Sequence, residues 1–79
     1  MRVYFETEIM GKEVTITAKA TDVNEYSEAL NLRVSVVLPD DSLIPLHKYT
    51  DDFDDIERIE QAALDELYSN KYEGELSLD

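Results

Sequence analysis

Hydrophobic and polar positions follow two different periods along this chain. From Asp51 to Asn70, DDFDDIERIEQAALDELYSN, apolar residues recur at helical spacing. With successive residues about 100° apart, Phe53, Ile56, Ile59, Ala63, Leu64, Leu67 and Tyr68 share one side. Asp54, Asp55, Arg58, Asp65, Glu66 and Ser69 share the other. The pattern predicts one amphipathic helix, apolar inward and acidic outward. Thr50 to Asp52 supply side chains able to cap its first turn.

Elsewhere the period is two. Val3, Phe5 and Ile9 alternate with Tyr4, Glu6, Glu8 and Met10, and Val14, Ile16, Ala18 and Ala20 alternate with Thr15, Thr17 and Lys19. Two such runs joined by Met10-Gly11-Lys12 read as a β-hairpin, with Gly11 free to take positive φ. Thr21 to Ala29 has neither period and reads as a loop, with room for one helical turn and with Tyr26 as its anchor on the core. Leu30, Leu32, Val34, Val36 and Leu38 then point inward from a third strand. After a turn at Pro39–Ser42, Leu43 to Tyr49 reads as a short fourth strand with Ile44, Leu46 and Lys48 on one face. Pro45 cannot donate to a ladder, so this strand belongs at an edge. Asn70 or Gly74 can end the helix, and alternation at Leu76 and Leu78 fits a last short strand as well as a frayed tail over residues 71–79.

The order β-β-β-β-α predicts an α+β fold in two layers: an antiparallel sheet of three to four strands with one C-terminal amphipathic helix on one face. Residues 1–79 are expected to form a single small acidic domain. Ala18 and Ala20 facing Ala62 and Ala63 would let the two layers approach closely. The wet sheet face would carry Tyr4, Glu6, Glu8, Thr15, Thr17, Lys19, Arg33, Ser35 and Val37.

Charge changes this picture most. The net charge is −12. Met1 to Leu38 holds six acids and four bases, whereas Pro39 to Asp79 holds thirteen acids and three bases. Such a field disfavours direct binding to nucleic acid or an anionic membrane, both of which need Lys and Arg clusters, and it favours a basic partner. With no cysteine, disulfides, thiolate catalysis and cysteine-based zinc sites are excluded. The opening segment MRVYFETEIM is acidic and lacks the apolar run of a secretory leader, and no stretch approaches the roughly 20 apolar residues of a membrane span. A cytoplasmic protein is expected.

Few residues suggest chemistry. Asp51, Asp52, Asp54, Asp55 and Glu57 are crowded enough to consider a divalent cation, but they lack the alternating ligands and central glycine of a calcium loop. Acids at a helix N-terminus more simply cap amides and complement the macrodipole, so no metal is expected. Glu60 falls within the apolar stripe and needs a partner among Arg33, His47 and Lys48, or a place at the rim. His47 is the sole histidine, and no serine has an evident base. Neither a nucleophile arrangement nor a phosphate loop can be assembled, so the expectation is no enzyme and no cofactor.

What remains is binding. The first expectation is a small acidic protein that occupies a basic, nucleic-acid-binding surface of a partner as a DNA mimic, through Asp54, Asp55, Asp65 and Glu66 with Asp51, Asp52, Asp40 and Asp41 extending the patch. The alternative is a structural or adaptor domain that self-associates as a homodimer through its sheet edge or open face, around Tyr4, Thr15, Thr17 and Arg33. Crowded carboxylates repel one another, so added salt should stabilise the fold. The melting temperature is expected to rise on adding about 0.5 M NaCl. An unchanged or lower value would show that the acids are individually paired or too far apart to interact.

Overall fold

Met10 and Gly11 both take positive φ, 52° and 78°. This is what a two-residue type I′ hairpin turn requires, and its twist matches that of the strands it joins. β1 (Arg2–Ile9) and β2 (Lys12–Lys19) therefore pair in antiparallel register with Ile9 opposite Lys12 and Arg2 opposite Lys19. The computed structural model describes residues 1–73; the strand or tail expected around Leu76 and Leu78 lies outside the described residues.

The segment expected as a loop is a second, miniature hairpin. β3 (Asp22–Val23) pairs with β4 (Ala29–Leu30). Asn24 builds the connection: its Oδ1 accepts from the Tyr26 and Glu28 amides at 2.9 and 3.0 Å. A polar side chain thus replaces part of a ladder, and such local bonding leaves no hydrophobic period to read. The anchor is Val23, fully buried, while Tyr26 is 75% exposed, contrary to the expectation for Tyr26. The expected third strand is also divided. Asn31 at φ 58° turns the chain, so Leu30 stays exposed in the miniature hairpin and β5 begins only at Arg33 (Arg33–Val37).

β5 pairs with β2, and β6 (Leu43–Pro45) pairs with β5, giving one four-stranded antiparallel sheet in the order β1-β2-β5-β6. Pro45 lies on an edge strand, as its missing amide demands. The fourth strand is shorter than the expected Leu43–Tyr49. From Leu46 the chain enters a single helical turn, α1 (Leu46–Tyr49), which buries Leu46, partly buries Tyr49, and leaves His47 and Lys48 exposed.

The long helix, α2 (Phe53–Tyr68), lies across one sheet face. Asp52 caps it, its Oδ1 accepting from the Asp54 and Asp55 amides at 3.0 and 3.3 Å. Ile59, Ala63 and Leu67, each one turn apart, are fully buried. Ile59 belongs to a cluster with Ile9, Ile16, Val36 and Leu46, and Ala63 and Leu67 to a second with Ala18, Ala20 and Val23. The second cluster is floored by Ala18 and Ala20, with Val3, Phe5 and Val34 packed around them.

Two polar clamps fix the helix at its ends. Arg58 donates to Thr7 Oγ1 at 2.9 Å and to the Glu8 carbonyl at 2.6 Å, tying the first half to β1. After α2 the chain widens into a π-helical turn (Ser69–Glu73). There the Lys71 ammonium donates to Asp22 Oδ1 at 2.6 Å and to the Val23 carbonyl at 2.7 Å, and the Tyr72 hydroxyl donates to the same carbonyl at 3.2 Å. Phe53, counted in the apolar stripe, is 73% exposed, because the first helical residue projects beyond the sheet. Ile59→Ala is therefore expected to cost about 2–5 kcal/mol, whereas Phe53→Ala should stay within about 0.5 kcal/mol of wild type in urea unfolding. Equal costs would show that the stripe is misplaced.

Candidate functional site

The expected acidic residues do not form one face. Positions eleven apart on a helix nearly superimpose in projection, so Asp54 and Asp65 share one line while Asp55 and Glu66 share another, about 100° around. The first line is the solvent ridge opposite Ile59 and Ala63. On it Asp54 and Glu57 are exposed, and Asp65 accepts a 3.4 Å bond from Gln61 Nε2. The second line runs along β1. There Asp55 is half-buried and ion-paired with Arg58 at 3.3 Å, and Glu66 borders a shallow depression with Arg2, Val3 and Tyr4. Asp55 is thus a structural partner of the Arg58 clamp.

The four flanking acids differ in the same way. Asp52 is committed to capping α2, while Asp51 is exposed. Asp40 accepts from the Ser42 hydroxyl at 2.6 Å and from the Ser42 amide at 3.1 Å, and these bonds hold its carboxyl below the usual range. Asp41, at φ 68°, shares a depression with Lys12, Glu13 and Tyr49. Ion pairs among the described residues are Asp55–Arg58 and Asp22–Lys71, so most of the described carboxylates face solvent without a cation.

Glu60 takes the rim position. It is exposed beside a groove of about 370 Å³ that Arg33 and His47 also line, with no ion pair among them. Among the described residues, no three acidic or histidine side chains converge to hold a metal ion. No helix among them is long and apolar enough to cross a membrane.

The open sheet face carries Tyr4, Thr15, Thr17 and Arg33 together, with an order that alternation alone could not reveal. Arg2 stands opposite Lys19, and Lys19 opposite Arg33. Tyr4, Thr17 and Ser35 form the next row, and Glu6, Thr15 and Val37 the one after. Glu8 stands opposite Glu13 at the hairpin end. Along the strands the face runs from three cations, through hydroxyls, to three acids. Each residue was assignable to this face from its strand period, but the rows depend on the strand order and register. At the acidic end, Glu6 raises the Glu13 carboxyl above its ordinary value through a shared hydrogen bond and like charge. At the other end, the Arg2 guanidinium beside the Tyr4 hydroxyl lowers that phenol.

Compared with known proteins, the chain matches no family model, no curated protein and no solved structure.

The shifts set opposite pH dependences. Asp22 is lowered chiefly by its bond from Lys71, so its stabilisation is present above its unfolded pKa and is lost as pH falls through the folded value. Lys71 is raised by the same bond, so its share is present below its unfolded pKa and is lost as pH rises through the folded value. Glu13 is raised, so between its unfolded and folded values the native state binds more protons and stability falls as pH rises. Glu13→Gln is expected to raise the melting temperature at neutral pH and to reduce the loss of stability between about pH 4 and pH 7. Thermal melts across that interval check this, and identical curves for both proteins would refute the repulsion.

Proposed function

We propose that this chain is a small acidic, non-enzymatic protein-binding domain, cytoplasmic, that occupies a basic, nucleic-acid-binding surface of a partner protein. The observation that supports it most is the excess of solvent-facing carboxylates left without cations. Asp51, Asp54, Glu57 and Asp65 project from the helix and its entry on a rigid frame, while the available arginine of that region is spent on Asp55 and β1. Charges held on a capped helix need no reorganisation to meet a basic partner, and they accelerate encounter as well as strengthening the complex. The spacing along α2 resembles a phosphate backbone only in sign and rigidity, which suits a competitor for the electrostatic part of DNA binding.

A second reading rests on the β1 edge. Met1 and Ala20 exchange both backbone hydrogen bonds, which assigns the inward-bonding positions to odd residues and leaves Arg2, Tyr4, Glu6 and Glu8 facing outward. Arg58 occupies the Glu8 carbonyl, while the outward backbone groups of Arg2, Tyr4 and Glu6 have no partner among the described residues. That edge supports self-association by strand addition. It would appear as a mass near twice 9.1 kDa at high concentration.

The test of the first reading is a protein with Asp51→Asn, Asp54→Asn, Glu57→Gln and Asp65→Asn, leaving Asp52 and Asp55 in their structural roles. A partner captured from the native host and eluted by salt should bind DNA on its own, and this protein should compete with DNA for it. The neutralised protein should associate at least about tenfold more slowly at low salt with its melting temperature kept or raised. Capture as fast as wild type would remove the helix ridge from the function.

A further inference from the structure

We propose that the end of the open sheet face carrying Arg2, Lys19 and Arg33 binds a multivalent oxyanion, a ligand bearing two or more linked phosphate or carboxylate groups. This site is distinct from the acidic ridge and independent of what that ridge binds.

The first observation is placement. The chain has seven lysines and arginines against nineteen acids, yet three of the seven stand side by side on β1, β2 and β5. Like charges directly opposite one another on adjacent strands destabilise a sheet. None of the three has an ion-pair partner among the described residues. A repulsive row in a chain so rich in carboxylates, with none of the described ones paired to it, is an arrangement that a bound anion stabilises.

Thr17 provides the second observation, independently of charge. It is central in the next row, 4% exposed, and its buried hydroxyl oxygen has no partner of good hydrogen-bond geometry among the described residues, its polar neighbour being the Tyr4 hydroxyl that it helps to lower. An orphaned buried hydroxyl is unfavourable, and such groups are rare enough to need a reason. Thr17 and the three cations line one depression of about 820 Å³, which Ser35 also lines. Its size falls within the roughly 300–1,000 Å³ of ligand sites.

The chemistry follows from the side chains. Two guanidinium forks flank one ammonium, and guanidinium recognises phosphate or carboxylate oxygens bidentately. Adjacent strands lie about 4.8 Å apart, so the row spans on the order of 10 Å between its outer Cα atoms. Two linked groups let each guanidinium fork pair bidentately with its own oxygens, whereas a lone phosphate must share its few oxygens among three cations. Paired β-strands hold the three backbone positions, so only side-chain ordering opposes binding. The overall negative field is screened beyond about 8 Å at physiological salt, which makes recognition a contact effect.

The experiment is an amide and guanidinium NMR titration of the full chain at low salt, with inorganic pyrophosphate, citrate and inorganic phosphate as separate probes. Pyrophosphate or citrate should shift the signals of Arg2, Thr17, Lys19, Arg33 and Ser35, leaving Lys12, Lys48 and Arg58 unmoved, and the better of the two identifies phosphate or carboxylate as the preferred group. Inorganic phosphate should bind at least about tenfold more weakly, having one group to offer. Arg33→Gln should weaken the best probe by about tenfold or more. Thr17→Val, isosteric and unable to donate, should weaken it by about threefold or more with the remaining spectrum unchanged. Should Thr17→Val disturb the fold, Lys19→Gln on the exposed surface serves instead, with the same expected loss. Shifts spread equally over all lysines and arginines, or undiminished binding by Arg33→Gln, would overturn the site. So would a doubling of mass that occupies the row without any anion and is lost in Glu13→Gln, since the row would then answer to the acids of a second copy.

Discussion

The structure depends on the contact between one line of helix residues and one face of the sheet. Ile59, Ala63 and Leu67 recur every four residues, so they lie nearly in a row along α2. The inward positions of β1, β2 and β5 offer a floor that passes from large to small: Ile9, Ile16 and Val36 beneath Ile59, then Ala18 and Ala20 beneath Ala63 and Leu67. That taper fixes both the separation and the lengthwise position of the helix. A shift by one turn in one direction would set Ile59 over alanines, a clash, and in the other would set Ala63 over isoleucine and valine, a void. The Arg58 and Lys71 clamps then operate at the two ends of a helix whose register packing has already selected.

Burial on this scale is close to the least a domain can use. Roughly 60% of the unfolded surface is removed from water in a chain this short, and the fully buried side chains of the core include three alanines. Short elements at both ends supplement it. Val23 on the miniature hairpin closes one cluster, and Leu46 on the single turn after Pro45 closes the other. Each enters from a segment too short to show a period of its own. In each, a special backbone residue sets the geometry: Asn24 and Asn31 for Val23, Pro45 for Leu46.

This explains what could be seen in the chain beforehand. The helix, the first hairpin and the membership of the open face follow from periods of 3.6 or 2 sustained over five or more residues, and the edge placement of Pro45 follows from its missing amide. The miniature hairpin and the turn at Leu46–Tyr49 are not legible in the sequence, because two- and four-residue elements are stabilised by tertiary burial of a single side chain, which leaves no periodic trace. Phe53 failed differently: its angle around the helix was right, but nothing in the sequence says how far the sheet extends beneath it. Glu60 was resolved by the same geometry, because the groove beside it is open enough to keep a carboxylate in water.

The acidic ridge was half legible for a related reason. Composition counts carboxylates but does not say which of them the fold consumes. Asp52 is used by the helix start, Asp55 by Arg58, Asp22 by Lys71 and Asp40 by Ser42, and what the fold leaves uncommitted is the remainder. The sheet face shows the converse. Alternation sorts residues by face, but only register sorts them into rows, and register turns scattered single charges into a cationic row at one end and an acidic one at the other. Arg2, Lys19 and Arg33 are fourteen or more positions apart between successive members of the row in sequence order, and Arg2 stands opposite Lys19 only because the Met10–Gly11 turn has two residues. One residue more in that turn would slip the hairpin, pass β1's inward set to the open face, and dissolve both the core and the row together. The hydrophobic constraint that makes the fold unique is therefore also what assembles its charged surface.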